Sequence, residues 1–220
     1  KIIFTSFLIT SCQQIPVNES NRNFVDDNID KQNLEIDFKN QEKIISYHAD
    51  IWSYILINST YTSDSLDEQT LLYMNRHLQD LDKFKEFLND SYYFMFFVIE
   101  ELENAKLPIE LAFLPYIESN YDPFSISSSG AVGMWQFMPR TGRTYDLKRS
   151  WWNEDRHDPF KSTTAAIKYL KYLYERFDQD LYLTLAAYNA GPSFLDRQIK
   201  RNQRRGLNTD YWSLDLPIQT

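Results

Sequence analysis

Leu114-Pro115-Tyr116-Ile117-Glu118-Ser119 is the stretch on which the reading of this chain turns. An apolar run (Ile109, Leu111, Ala112, Phe113, Leu114) leads into it. A small, polar segment follows: Ser125-Ile126-Ser127-Ser128-Ser129-Gly130-Ala131-Val132-Gly133. Glu118 therefore stands at the exit of an apolar element and at the mouth of a loop. A carboxylate so placed is half desolvated, and desolvation favours the protonated form that a general acid requires. The competing reading is an exposed glutamate at a helix end. Pro115 sits inside the apolar run and cannot donate to a helical ladder, so the helix either kinks there or restarts just before Glu118.

Working outward, the pattern is helical. Only 5 Gly stand among 220 residues, and runs rich in Leu, Lys and Glu favour helices over a turn-dense β architecture. Residues 47–60 mix Ile, Trp, Tyr and Leu and predict a short helix. Residues 66–87 carry Leu71, Leu72, Met74, Leu78, Leu81 and Phe84 near three-to-four spacing. Residues 90–105 predict a strongly apolar helix, and Pro108 opens the next segment. Beyond the loop, Met134 to Met138 reads as a short helix closed by Pro139 and Gly142. Residues 145–160 read as an aromatic loop with Trp151 and Trp152. Helices are predicted at 161–176, at about 181–189, and from Gly191-Pro192 to about 204.

Charge is unevenly spread. The chain carries a formal net charge of -8, which argues against a nucleic-acid binder. Residues 140–205 hold 14 Lys/Arg against 8 Asp/Glu, whereas the rest hold 9 against 23. Arg197, Lys200, Arg201, Arg204 and Arg205 fall on one helical face. Two readings stand for that stripe: a contact for anionic groups, or a solvated face.

At the amino-terminal end, Lys1 to Cys12 reads as a positive charge, an apolar run and then small residues. This is a secretory signal, too short to span a bilayer as a mature helix. Ile9-Thr10-Ser11-Cys12 resembles a lipobox, which would place lipid on Cys12, the single cysteine of the chain. A buried free cysteine is the alternative. Residues 13–45, rich in Asn, Gln and Asp, read as a largely disordered tether. His48, His77 and His157 lack metal-ligand spacing, and no Gly-rich phosphate loop is present, so neither a metal nor a cofactor is expected.

Three segments then read together. Glu118-Ser119 comes first. Gly130-Ala131-Val132-Gly133-Met134-Trp135-Gln136-Phe137-Met138-Pro139 begins twelve residues after the glutamate, and Ala186-Ala187-Tyr188-Asn189-Ala190-Gly191 follows. In this order and spacing they resemble the lytic transglycosylases of the soluble-lytic-transglycosylase, goose-type lysozyme-like family. The likeness covers about residues 100–215. It implies a mostly α, lysozyme-like catalytic domain over 99–220, preceded by a signal remnant (1–11), a lipidated tether (12–45) and a helical region (46–98). It also implies a chain truncated at both ends, with wall-binding LysM repeats expected beyond the carboxyl-terminal one.

The activity implied is non-hydrolytic cleavage of peptidoglycan glycan strands. By resemblance to lipoproteins, Gln13 rather than Asp after Cys12 favours the periplasmic face of the bacterial outer membrane. Glycoside cleavage usually employs two carboxylates, and the motifs supply one. Asp122 lies four residues beyond Glu118, but Pro123 interrupts any helical geometry between them. By resemblance, Glu118 is the catalytic acid and base, while Ser127, Gln136, Met138, Tyr188 and Asn189 contact the sugar. The alternatives are a hydrolytic muramidase of goose-lysozyme type and a non-catalytic wall-binding scaffold. Met134 and Phe137 read as core. Trp151 and Trp152 either stack on sugars or pack within their loop.

Overall fold

The computed structural model describes residues 51–59 and 81–217. Cys12, the tether and most of the 66–87 stretch lie outside the described residues. The described residues form seven α-helices: α1 (Ile51–Asn58), α2 (Leu81–Asn104), α3 (Leu114–Ser119), α4 (Pro139–Thr144), α5 (Pro159–Arg176), α6 (Leu181–Ala190) and α7 (Pro192–Arg204). Short 3-10 turns lie at Ile109–Phe113, Asp155–His157 and Tyr211–Ser213. Among the described residues, pairing of β type is confined to three isolated bridges, so the domain is mostly α, as expected.

Proline and aspartate decide where helices begin. Pro115, Pro139, Pro159 and Pro192 each occupy the first turn of α3, α4, α5 and α7, where no amide donor is needed. Asp158 caps α5 by accepting from the amides of Phe160 and Lys161, both at 3.0 Å. Asp180 caps α6 through the Leu183 amide at 2.9 Å. The Pro115 alternative is thereby resolved: a 3-10 turn ends at Phe113 and a new helix starts at Leu114. In contrast, 81–87 and 90–105 are not separate helices. α2 runs unbroken through Asn89 and Asp90, whose weak helix propensity is outweighed by the apolar stripe beyond them.

That stripe is Met95, Val98, Ile99 and Leu102, all buried and spaced three or four apart. Each such side chain contributes about 1.5–3 kcal/mol on burial. α5 lies against both α2 and α6, with Ala165, Ala166, Ile167, Leu170 and Leu173 buried along it. α6 packs on both α5 and α7, with Leu185, Ala186 and Ala187 buried along it. The 3-10 turn at Ile109–Phe113 is entirely buried and touches α1, α2 and α3. The short helix that ends in Glu118 is thus set on the core itself. Beyond α7 the chain folds back: Asn202 donates to the carbonyls of Asn208 and Ser213 at 2.9 and 2.7 Å.

A candidate active site around Glu118

Glu118 occupies the last turn of α3 and is half-buried. The helix stops there because Asn120 and Tyr121 are left-handed, at φ 54° and 62°. Tyr121 is buried and donates its hydroxyl to the Ala112 carbonyl at 2.5 Å, pinning the exit. Ser119 donates to the Met134 carbonyl at 2.8 Å. The residue after the glutamate therefore fastens α3 to the Gly-Met-Trp-Gln segment.

That segment is not the short helix expected from the sequence. Val132 and Phe137 exchange both backbone hydrogen bonds, at 3.1 and 3.0 Å, and so close a tight turn over 133–136. Gln136 takes φ 47°, outside the right-handed helical region, and Gly133 takes φ 81°. The Gln136 side-chain amide donates to the Gly133 carbonyl at 2.8 Å, folding over the turn it belongs to. Trp135 is fully buried beneath, its indole N–H donating to Thr163 at 2.9 Å. Phe137 and Met134 are core, whereas Met138 remains 42% exposed just ahead of α4.

Tyr188 reaches the same turn from α6. Its hydroxyl donates to the Trp135 carbonyl at 2.7 Å. Two hydroxyls, Ser119 and Tyr188, thus grip the consecutive carbonyls of Met134 and Trp135. Burial pushes the Tyr188 phenol well above its ordinary value, and the charge of Glu118 pushes the same way. Its ring lies 5.4 Å from that of Tyr169, which lies 5.1 Å from Tyr145. Burial likewise raises Tyr169 and Tyr145, so the cluster remains protonated and neutral near pH 7.

The other sequence-predicted residues are placed as follows. The Ser127 hydroxyl accepts from the Ala131 amide at 2.9 Å and lies 3.0 Å from Ser129, within its own loop. Asn189 is half-buried beside Tyr188 on α6. Asp122 is exposed and accepts from the Phe124 amide at 2.8 Å, forming the turn after the glutamate. In the basic stripe, Arg201 pairs with Asp215 at 3.0 Å and Arg197 lies over the Phe194 ring.

Arg156 was not foreseen. Its side chain is only 5% exposed. It donates through Nε and Nη2 to the two carboxylate oxygens of Glu154, at 2.8 and 2.9 Å. Its Nη1 donates to the carbonyls of Phe137 at 2.8 Å and Gly130 at 3.3 Å. A Cβ on Gly133 would stand 1.9 Å from the Arg156 carbonyl, so that position admits glycine alone. The Arg156 hydrogen bonds hold the Glu154 carboxyl below the usual carboxylate range. Lys161, at 2.7 Å, does the same for the buried Asp155. A charged residue in an aromatic loop carries no mark of burial in sequence, and this is why Arg156 escaped notice.

The fold and site define a helical domain that sets one motif-borne carboxylate beside a hydroxyl-gripped turn. Residues 95–210 match the family described as the Transglycosylase SLT domain, and the chain belongs to that family. It is 36% identical over 183 residues to membrane-bound lytic murein transglycosylase D of Escherichia coli, covering 80% of this chain and 39% of that protein. Membrane-bound lytic murein transglycosylase F of Alcanivorax borkumensis is 33% identical over 108 residues, covering 46% of this chain and 22% of the relative. The counterpart in Pseudomonas fluorescens is 31% identical over 108 residues, covering 46% and 21%. The chain therefore spans about two fifths of the length of the Escherichia coli relative. Among the described residues no helix is long and apolar enough to cross a membrane.

Proposed function

We propose that the chain cleaves the bond between N-acetylmuramic acid and N-acetylglucosamine in peptidoglycan, without water, leaving 1,6-anhydro ends. The observation that carries this reading is the Ser119 hydroxyl fastening the helix of Glu118 to the Trp135 turn, which the Tyr188 hydroxyl holds from α6. Glu118 first donates its proton to the bridging oxygen, and the bond from that oxygen to C1 of the muramic acid breaks. The N-acetyl carbonyl of the same sugar steadies the cationic ring. Glu118, now a carboxylate, takes the proton of the 6-hydroxyl as that oxygen bonds to C1. The carboxyl ends as it began, and one group serves as acid and then base. Intramolecular closure needs positioning more than a second protein carboxylate. The turn formed by Asp122 with Phe124 agrees with this assignment.

In this reading the Tyr188 proton is committed to Trp135, so Tyr188 positions the turn and offers only its oxygen lone pairs to a sugar. Gln136 presents its amide, Met138 an exposed apolar contact, and Ser127 and Asn189 further polar edges. Residues 99–220 act as the catalytic domain, and the names of the relatives support membrane association. The lipobox-like run supports a lipid on Cys12 and residence at the periplasmic face of the outer membrane. Replacing Glu118 by Gln is expected to cut the release of soluble fragments from purified sacculi by roughly 10²–10⁴-fold. Unchanged release would remove Glu118 from the mechanism.

A further inference from the structure

Trp151 and Trp152 are 86% and 89% exposed, which is unusual for two adjacent indoles. They are not buried in their loop and touch each other there, so their outer faces stand open to solvent. The loop is nonetheless firmly built. Arg149 and Glu154 pair across it, and the Ser150 amide donates to the Asn153 carbonyl at 2.7 Å. The Ser150 hydroxyl accepts from the amides of Trp152 and Asn153 at 3.3 and 3.1 Å. The two rings meet edge to face, with centroids 5.5 Å apart. Both border a groove of about 410 Å³ whose other walls include Asn153, Glu154, His157 and Asp158.

We infer that this groove is a second glycan-binding surface, which holds a stretch of peptidoglycan strand away from the bond being cut. The inference rests on the reading of the chain as a peptidoglycan enzyme. A sugar ring has apolar C–H faces and a rim of hydroxyl and amide groups. An occupant with those two characters suits exposed indole faces set beside carboxylate, amide and imidazole edges. The carboxylates of Glu154 and Asp158 in the wall disfavour phosphate-rich partners such as nucleic acid and anionic lipid surfaces. Rigidity before binding lowers the entropic cost of seating the strand.

The loop that carries the groove is also tied to the segments around the candidate active site. Arg156 joins the loop to the carbonyls of Gly130 and Phe137, and His157 meets the Pro123 carbonyl through Nδ1 at 2.8 Å. Phe124, 72% exposed, lies with its ring 5.8 Å from His157 and bridges the two regions. In this inference one long strand engages Glu118 and the tryptophans together.

The test is calorimetric binding in a Glu118→Gln background, which prevents turnover. Long glycan strands stripped of stem peptides are compared with a tetrasaccharide. Trp151→Ala with Trp152→Ala is expected to weaken long-strand binding roughly tenfold to a hundredfold and to leave the tetrasaccharide unchanged. Tyr at both positions should restore most of the affinity, and melting temperature should be unaltered because both indoles are exposed. Equal long-strand affinity in the alanine pair overturns the inference. So does loss of binding to phosphatidylglycerol vesicles with strand binding intact, which would make the surface a membrane contact. A chain that binds no strands at all overturns both this inference and the proposed function. Tryptophan-dependent binding without anhydro products from the unsubstituted enzyme supports the surface and removes only the reaction.

Discussion

Gly133 combines φ 81° with a backbone carbonyl standing where a Cβ would go. Gly133→Ala is expected to cost about 3 kcal/mol or more, measured by denaturant unfolding, because a left-handed penalty adds to a clash with Arg156. Tyr188→Phe is a milder change. It leaves the Trp135 carbonyl without its donor and is expected to cost about 1–2 kcal/mol. Its larger effect should fall on turnover, through a loosened turn beside Glu118. Because burial and Glu118 both raise the Tyr188 phenol, the pH profile of lysis should show no loss from this group at its ordinary value of about 10. Glu118, Gln136 and Tyr188 stand out in the sequence by residue type and spacing, and the fold brings Tyr188 onto the turn that holds Gln136. The acceptors of their hydrogen bonds were not legible, since backbone carbonyls leave no mark in a sequence.

At the scale of elements, Pro192 opens α7 as the sequence predicts. Pro139, expected to close a helix, instead opens α4, and α5 begins at Pro159 rather than at 161. The 3-10 turn before Leu114 follows from Pro115. The Met134 to Met138 stretch was misread for a physical reason. Met134, Phe137 and Met138 fall at helical spacing, yet Phe137 pairs with Val132 and Gln136 is left-handed, so Met134 and Phe137 reach the core from a turn while Met138 stays exposed. The loop holding Arg156 fastens that turn from the opposite side. Arg156→Lys cannot reproduce the two bonds to Glu154 together with the bond to Phe137, and about 3 kcal/mol of stability is expected to go. Acid should loosen the same joint. Glu154 and Asp155 have lowered folded-state values, so the unfolded chain binds protons more readily in acid. Their stabilisation is complete above the unfolded value of about 4 and is lost as pH falls through the lower folded values. A melting temperature that falls from about pH 4.5 downwards, and falls less in Glu154→Gln, would bear this out.

For the whole molecule, the order of three motifs carried the fold class, because a helical domain that buries α5 between α2 and α6 brings their distant segments to one place. The continuity of α2 was less legible, since Asn89 and Asp90 resemble a break. Uneven charge was visible, but the pairing of Arg201 with Asp215 was not, because Asp215 returns only through the fold of the segment after α7. Lipid attachment belongs to this scale as well. Cys12→Ser in cells is expected to shift the chain from the membrane fraction to the soluble fraction, and unchanged fractionation would contradict anchoring at that residue. The central claim is that one carboxylate serves as both acid and base while the sugar closes on itself. Mass spectrometry of fragments released from sacculi tests it most directly. Fragments ending in 1,6-anhydro-N-acetylmuramic acid, lighter by one water than reducing ends and absent with Glu118→Gln, are the expected result. Reducing ends from the unsubstituted chain would contradict it and make the enzyme a hydrolase.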